Sequence, residues 1–403
     1  MNDGATKGSE LARHWTLDPS IDFLNHGSFG ACPRVVLEHQ AELRAELERE
    51  PITFLVRNFT RALDLARERL AAFVGADPAG LVFVKNATQG VNGVLGSLDF
   101  APGDEILVTD HEYAATKNAA QRIAARAGAR LVTAKIPFPG ATADLAVDAV
   151  VAAAGPRTVL AILDHVTSPS GLVMPVERIV PALAERGIDC LIDGAHAPGM
   201  VPLALDRLGA AYYTANCHKW LCAPKGAALL YVRADRRDRI HPACTSHGYT
   251  FDRSRHGRYL VEHDWTGTDD LTPWLCVDVA IAQMARLVPG GWDEIMRRNR
   301  ALALRSREVL GEVLGVAPPC PDDMIGSLAA MPLPAGTWAG ATAYDQFDPL
   351  QDALLFRHRI EVPIITWPAF PGRWVRTASQ LYNDLAQSRR LGAALVAELG
   401  RGL

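Results

Sequence analysis

Lys219, in the stretch AYYTANCHKWLCAPKGAALLYV, lies between aromatic and apolar neighbours where an ammonium group is poorly solvated. Poor solvation lowers an amine's pKa and frees its neutral form for Schiff-base formation. For any lysine taken alone, a solvated surface position is the alternative. Asp193, 26 residues earlier, singles this one out, because that spacing is one helix and one strand further along the same sheet. Asp193 closes the apolar run CLID, and His196 follows three residues later. A buried carboxylate needs a cationic partner or strong donors, and a protonated pyridine nitrogen is one such partner. An Asp-Gly turn with a structural histidine is the other reading. Two further polar clusters follow apolar runs. KNATQG comes after LVFV, where Thr88 can cap a helix and the N–H groups of Ala87 and Thr88 can form an anion site. TSPSG comes after AILDHV and puts Thr167 and Ser168 at a strand end. A plain N-cap and a Ser/Pro/Gly turn account for these two when each is taken alone.

These groups share a position in the pattern of elements. Residues 60 to 235 alternate apolar runs with amphipathic segments; the runs are Leu81–Val84, Glu105–Thr109, Arg130–Ala134, Thr158–Leu163, Asp189–Asp193, Ala211–Thr214 and Gly226–Val232. In TRALDLARERLAAFVGA, Leu63, Ala66, Leu70 and Phe73 fall on one helical face. The alternation predicts an α/β fold with a mainly parallel sheet wrapped by helices, and such sheets bind ligands at the carboxyl ends of their strands. A long charged helix is expected around 282–315, short strands near 325–332, 360–366 and 373–378, and a last helix near 384–400. The division that follows is an N-terminal arm (1–24), a large domain (25–282) and a smaller C-terminal α+β domain (283–403). His241 to Trp274 is aromatic and charged without clear period, which predicts a functional or interface loop.

Composition excludes several functions. The chain has 403 residues, 49% hydrophobic and 21% charged, which is ample for a folded core. With 41 Lys+Arg against 45 Asp+Glu the net charge is −4, and no basic run stands out to track nucleic acid. Seven scattered cysteines without a CxxC pair argue against zinc and for reduced thiols, so no metal is expected. No apolar stretch reaches the ~18 residues of a membrane span, and the N-terminus lacks the apolar core of a signal peptide. A soluble, cytoplasmic protein without a nucleic-acid or membrane partner is the expectation.

Four motifs together carry a family resemblance. DGAH at 193–196, HKW at 218–220, LNHGSFG at 24–30 and DHEYA at 110–114 resemble the class V branch of fold-type I pyridoxal-phosphate (PLP) enzymes, within it the isopenicillin N epimerase-like group. The resemblance runs from about residue 20 to the C-terminal helix. It implies a large domain with a mainly parallel seven-stranded sheet, and PLP as cofactor. Lys219 matches the lysine that forms the internal aldimine, and Asp193 the carboxylate that keeps the ring nitrogen protonated. His196 sits where the family contacts the phenolic oxygen, and Tyr113 where an aromatic ring stacks on the cofactor. Phosphate and cofactor contacts would come from Ala87, Thr88, Ser168, Asn216 and His218. Thr268, in WTGTDD, resembles a threonine contributed by the neighbouring subunit, which implies a homodimer with shared sites. Arg376, in RWVRTAS, matches the arginine that binds the substrate α-carboxylate, with Asn25, His26 and Ser28 on the substrate side.

The resemblance also implies a reaction class: chemistry at Cα of an α-amino acid through an external aldimine and a quinonoid. Epimerisation and C–S β-elimination of a bulky or S-conjugated amino acid, in secondary metabolism, are the leading outcomes. Decarboxylating or oxidative deamination and transamination are alternatives. Desulfurases of this class carry a cysteine ahead of the carboxylate arginine; here the stretch is TWPAFPGRW, and no cysteine follows Cys320. A persulfide-forming route is therefore not expected, and Cys217 and Cys222 read as packing residues. A dinucleotide-binding protein lacks support, since no G-x-G-x-x-G follows the first strand. A silent scaffold would have no use for Asp193, Lys219 and Arg376 together.

Overall fold

The apolar runs pair into one sheet. In the computed structural model, which describes residues 8–252, 256–338, 340–341 and 346–402, the strands are β1 (Leu81–Val84), β2 (Glu105–Thr109), β3 (Arg130–Ala134), β4 (Thr158–Asp164), β5 (Asp189–Asp193), β6 (Tyr212–Asn216) and β7 (Ala228–Val232). Their order is β1-β7-β6-β5-β4-β2-β3; β7 runs antiparallel to both neighbours, and all other pairs are parallel. Strands this uniformly apolar need cover on both faces. On one face α1 (Phe59–Val74) contributes Leu63, Ala66 and Leu70; on the other, α2 (Ala87–Ser97) and α3 (Ala114–Ala127) contribute Val91, Val94 and Ala120. Phe73 is only half-buried and meets Trp292 edge-on at 5.0 Å.

The carboxyl ends of four adjacent parallel strands present Thr109, Asp164, Asp193 and Asn216 on one rim. Two glycines let other segments close on that rim. A Cβ on Gly90 would lie 2.1 Å from Thr214 Oγ1, so only glycine lets α2 approach β6 there. Gly30 has φ +71°, and a Cβ on it would lie 2.1 Å from the His218 carbonyl oxygen and 2.9 Å from Lys219 Cα. The LNHGSFG motif therefore rests on the backbone of the lysine.

The smaller C-terminal domain has the antiparallel sheet β9-β10-β8, built from β8 (Leu328–Pro332), β9 (Ile364–Thr366) and β10 (Arg373–Ala378). α4 (Gly291–Leu314) packs on it, and α5 (Leu385–Leu399) packs against α4. Asp22–Phe23 pairs in parallel with Ile360–Glu361, and the Ala378 N–H donates to the Leu24 carbonyl, so the N-terminal motif is tied to this sheet as well. The helix expected over 282–315 is two helices, Val277–Arg286 and α4, parted at Pro289 and Gly290, where φ is +95°. The strand expected over 360–366 is likewise two, parted at Val362–Pro363, since Pro363 has no N–H to offer a ladder. Within 241–274 lie short helices at Arg258–Asp264 and Thr272–Leu275; the first is anchored by buried Tyr259 and Leu260 and braced by an Arg258–Glu262 ion pair. No described helix is long and apolar enough to cross a membrane.

Candidate active site

A cavity of about 460 Å³ opens over the rim and is lined by Ser28, Ala87, Thr88, Tyr113, Ser168, Asp193, His196, Asn216, His218 and Lys219. Ten positions singled out in the sequence thus meet in one space. Asp193 is buried; its Oδ2 accepts from the Thr116 hydroxyl at 2.8 Å and its Oδ1 from the Ala195 N–H at 3.0 Å. Burial pushes its pKa up, opposed by those two donors and by Lys219. Because hydrogen bonds to a charged group are worth about 1.5–3 kcal/mol, Thr116→Val should weaken cofactor binding by up to that amount, read by titrating the apoenzyme with PLP. Unchanged affinity would detach Asp193 from the cofactor.

Lys219 is also buried, and desolvation, followed by the nearby Arg376 charge, pulls its pKa down to about 8. The Nζ atom lies 3.1 Å from His196 Nε2. His196 Nδ1 accepts from the Trp220 indole N–H at 3.3 Å, which assigns the ring proton to Nε2, a donor that only the free-base amine of Lys219 can accept. Burial and the adjacent cations hold His196 neutral. An amine with that pKa is about a tenth free base at pH 7. Uptake of PLP by the apoenzyme should then accelerate about tenfold per pH unit below pH 8 and level off above it; a rate that keeps climbing well above pH 8, as for an ordinary lysine, would contradict the depressed pKa.

The anion end departs from expectation. The N-cap of α2 is Asn86, whose side chain accepts from the Gln89 N–H at 2.8 Å, so Thr88 lies inside the first turn. The Ala87 N–H donates to Asn216 Oδ1 at 2.9 Å and is not spare for a phosphate. That bond leaves the Asn216 NH2 as the end able to donate to an anion. His218 spends its Nδ1–H on the Ala227 carbonyl at 3.0 Å; a donor contact at Nε2 therefore requires the imidazolium, which burial disfavours by pulling the pKa to about 4.

On the other side, buried Arg376 on β10 donates to the Ser168 carbonyl at 2.5 Å, to Ser168 Oγ at 3.2 Å and to Ser28 Oγ at 3.2 Å. Its Nε is buried without a partner, and among the described residues no carboxylate pairs with it. Burial lowers its pKa to about 10, which leaves it cationic at neutral pH. Ser28 Oγ donates in turn to Asn25 Oδ1 at 2.5 Å, and Asn25 to Glu361 at 2.9 Å, so Asn25 orients the serine without lining the cavity. His26, expected on the substrate side, lies beneath it: Nε2 donates to the Lys219 carbonyl at 3.0 Å and Nδ1 faces the Tyr382 hydroxyl at 2.8 Å. It braces the lysine's backbone, because a fully buried ring with both nitrogens engaged has nothing left for a ligand. Tyr113 is 45% exposed at the mouth. Thr268 does not line its own chain's cavity; its neighbour Asp269 pairs with Lys85, which does.

Sequence reading missed Asp164, Glu112, Thr116, Lys85 and Lys225. Asp164 was legible in principle, because ILD and LID are matching strand ends in adjacent runs.

A buried carboxylate at a strand end, a desolvated lysine beside it on the next strand and an N-terminal helix turn across the cavity are the parts of a PLP-dependent enzyme of fold type I. The family description "Aminotransferase class-V" matches residues 24–321, and the chain belongs to that family. It is 36% identical over 405 residues to an isopenicillin N epimerase of Amycolatopsis lactamdurans, covering 97% of this chain and 98% of that protein. It is 29% identical over 413 residues to a probable chloroplastic L-cysteine desulfhydrase of Arabidopsis thaliana, covering 96% and 84%. In fold it matches a lysine-to-alanine mutant of C-DES with glycine covalently linked to the PLP cofactor, with TM-score 0.78 and 23% identity over 93% of this chain and 96% of that one. The cofactor is pyridoxal 5'-phosphate, and the residues fit it: buried Asp193 for the ring nitrogen, the desolvated Lys219 amine for the aldehyde, and the Thr88 hydroxyl and Asn216 amide at the anion end.

Proposed function

We propose that the enzyme removes the Cα proton of an α-amino acid and returns a proton to the opposite face, epimerising it. The observation that carries this reading is Arg376, a buried guanidinium without a carboxylate partner among the described residues, held by Ser28 and Ser168 at the edge of the cavity that contains Lys219. A substrate carboxylate is the counter-ion such a fork lacks. PLP, when bound, supplies an imine to the substrate nitrogen and an electron sink that acidifies the Cα–H. Asp193 keeps a proton on the ring nitrogen. Lys219, once its amine is displaced, takes the Cα proton on its own side, with His196 as its hydrogen-bond partner. Tyr113, half exposed at the cavity mouth, is the acid for the other face.

C–S β-elimination from an S-substituted cysteine is a second reading, favoured by the near full-length likeness to a desulfhydrase. It shares every step up to proton removal. A persulfide route through an active-site cysteine is not part of the proposal, because the stretch ahead of Arg376 holds none. Incubation with S-substituted cysteines and bulky amino acids, followed by chiral chromatography and assay of pyruvate and thiol, separates the two. The D-isomer without pyruvate supports epimerisation; pyruvate with thiol replaces it by elimination.

The proposal includes a homodimer with shared sites. Phe29, Ile52 and Val56 are each more than half exposed on the N-terminal segment, a large apolar surface for a monomer to leave in water. Sedimentation should give a dimer, and Thr268→Val should weaken PLP binding although Thr268 does not line its own cavity. A fully active monomer would refute this part.

A further inference from the structure

Behind Asp193 lie two carboxyl groups that the proposed chemistry leaves unused. Asp164 ends β4 in register with Asp193 at the end of β5, so the two side chains leave neighbouring parallel strands on the same side of the sheet. Glu112 reaches them from the turn after β2, and the three carboxyl groups offer oxygens within 4.8 Å of one another. All are buried: Glu112 is 6% exposed, Asp164 3% and Asp193 1%.

Their donors are unequally divided. Asp193 receives the Thr116 hydroxyl and the Ala195 N–H. Both oxygens of Glu112 and Oδ2 of Asp164 have no hydrogen-bond partner. The charged groups facing the trio are Lys117 on α3 and Lys219 after β6, and the Tyr113 main-chain N–H favours the charged forms of Glu112 and Asp164 without offsetting their burial. Three negative charges in this space oppose one another, and the interior penalises each. A proton therefore settles where donors are fewest, and there it turns an orphaned acceptor into a donor to its neighbour.

We propose that Glu112 is a neutral carboxylic acid at neutral pH, sharing its proton with Asp164, and that the pair are positioning residues which leave Asp193 as the one negative charge at the ring-nitrogen position. The last clause rests on the role of Asp193 in the proposed reaction; the protonation state does not. An ionised Glu112 would raise the proton affinity of Asp193, which would then hold the proton itself and leave the ring nitrogen without a counter-ion.

Infrared spectroscopy of the apoenzyme in D2O tests the proton directly. The difference spectrum between wild type and Glu112→Gln at neutral pH should show one carboxylic-acid C=O band lost, and Asp164→Asn should shift the pH at which that band titrates away downward by at least one unit. Loss of a carboxylate band instead, or a band indifferent to Asp164→Asn, overturns the proposal. Millimolar Mg2+ should leave the band in place; its loss would overturn the positioning role by making the trio a cation site. Should Glu112→Gln not fold, the wild-type acid band and its shift in Asp164→Asn carry the test. PLP titration separates the two readings: Glu112→Gln, a neutral isostere, should keep wild-type affinity while Asp193→Asn loses at least tenfold. If Asp193→Asn keeps its affinity while the infrared result stands, the assignment of Asp193 fails and the protonated pair survives.

Discussion

Lys219→Ala should abolish the yellow chromophore that PLP forms with the wild type and reduce turnover by about 10⁴-fold or more, because in the proposed reaction one group supplies both the covalent link and the Cα base. The substitution opens space beside His196 and Trp220 but leaves the carboxylate clamp untouched, so amino acid and PLP should still bind together. Borohydride treatment of the wild type should fix the cofactor to Lys219. An adduct on Lys85 or Lys225, the other lysines at the cavity, would move the chemistry elsewhere. Turnover preserved within tenfold in Lys219→Ala would have the same force.

Arg376→Ala should behave in the opposite way. In the proposed reaction the guanidinium meets the substrate carboxylate in ground and transition states alike, so its loss should weaken amino-acid binding by about 2–5 kcal/mol and leave the chromophore intact. Arg376→Lys should recover little, because one ammonium cannot reproduce a planar fork held by Ser28 and Ser168. Removing this charge also lifts the second largest influence that depresses Lys219, so the lysine's pKa should rise and PLP uptake should reach its plateau at higher pH. Bleaching of the cofactor, or unchanged substrate affinity, would show that β10 does not supply the carboxylate site.

The large sheet was legible because each strand is an apolar run ended by a polar residue, and a period that simple survives without knowledge of the partners. Asp193, Lys219 and their neighbours near strand ends could be singled out for the same reason, and the structure brings them to one cavity. What escaped depends on pairing across the fold. Nothing in NAT tells that the Ala87 N–H is taken by Asn216, 129 residues away. His26 was placed on the wrong side of the lysine because a motif fixes residue type but not which way a short turn presents each side chain. The Glu112–Asp164 pair needs the register of β4 on β5 and the turn after β2 at once, and neither is a local pattern. The break at Pro289–Gly290 was readable from residue type, but the helical period on both sides concealed it.

Deuterium exchange at Cα reads proton removal by Lys219 independently of which product follows. Wild-type enzyme incubated in D2O with a turned-over amino acid should place solvent deuterium at Cα, with inversion visible in the product, while Lys219→Ala should place none. Absence of exchange while product still forms, or equal exchange in the variant, would mean that Lys219 does not break the Cα–H bond, and its role as the base would have to be abandoned.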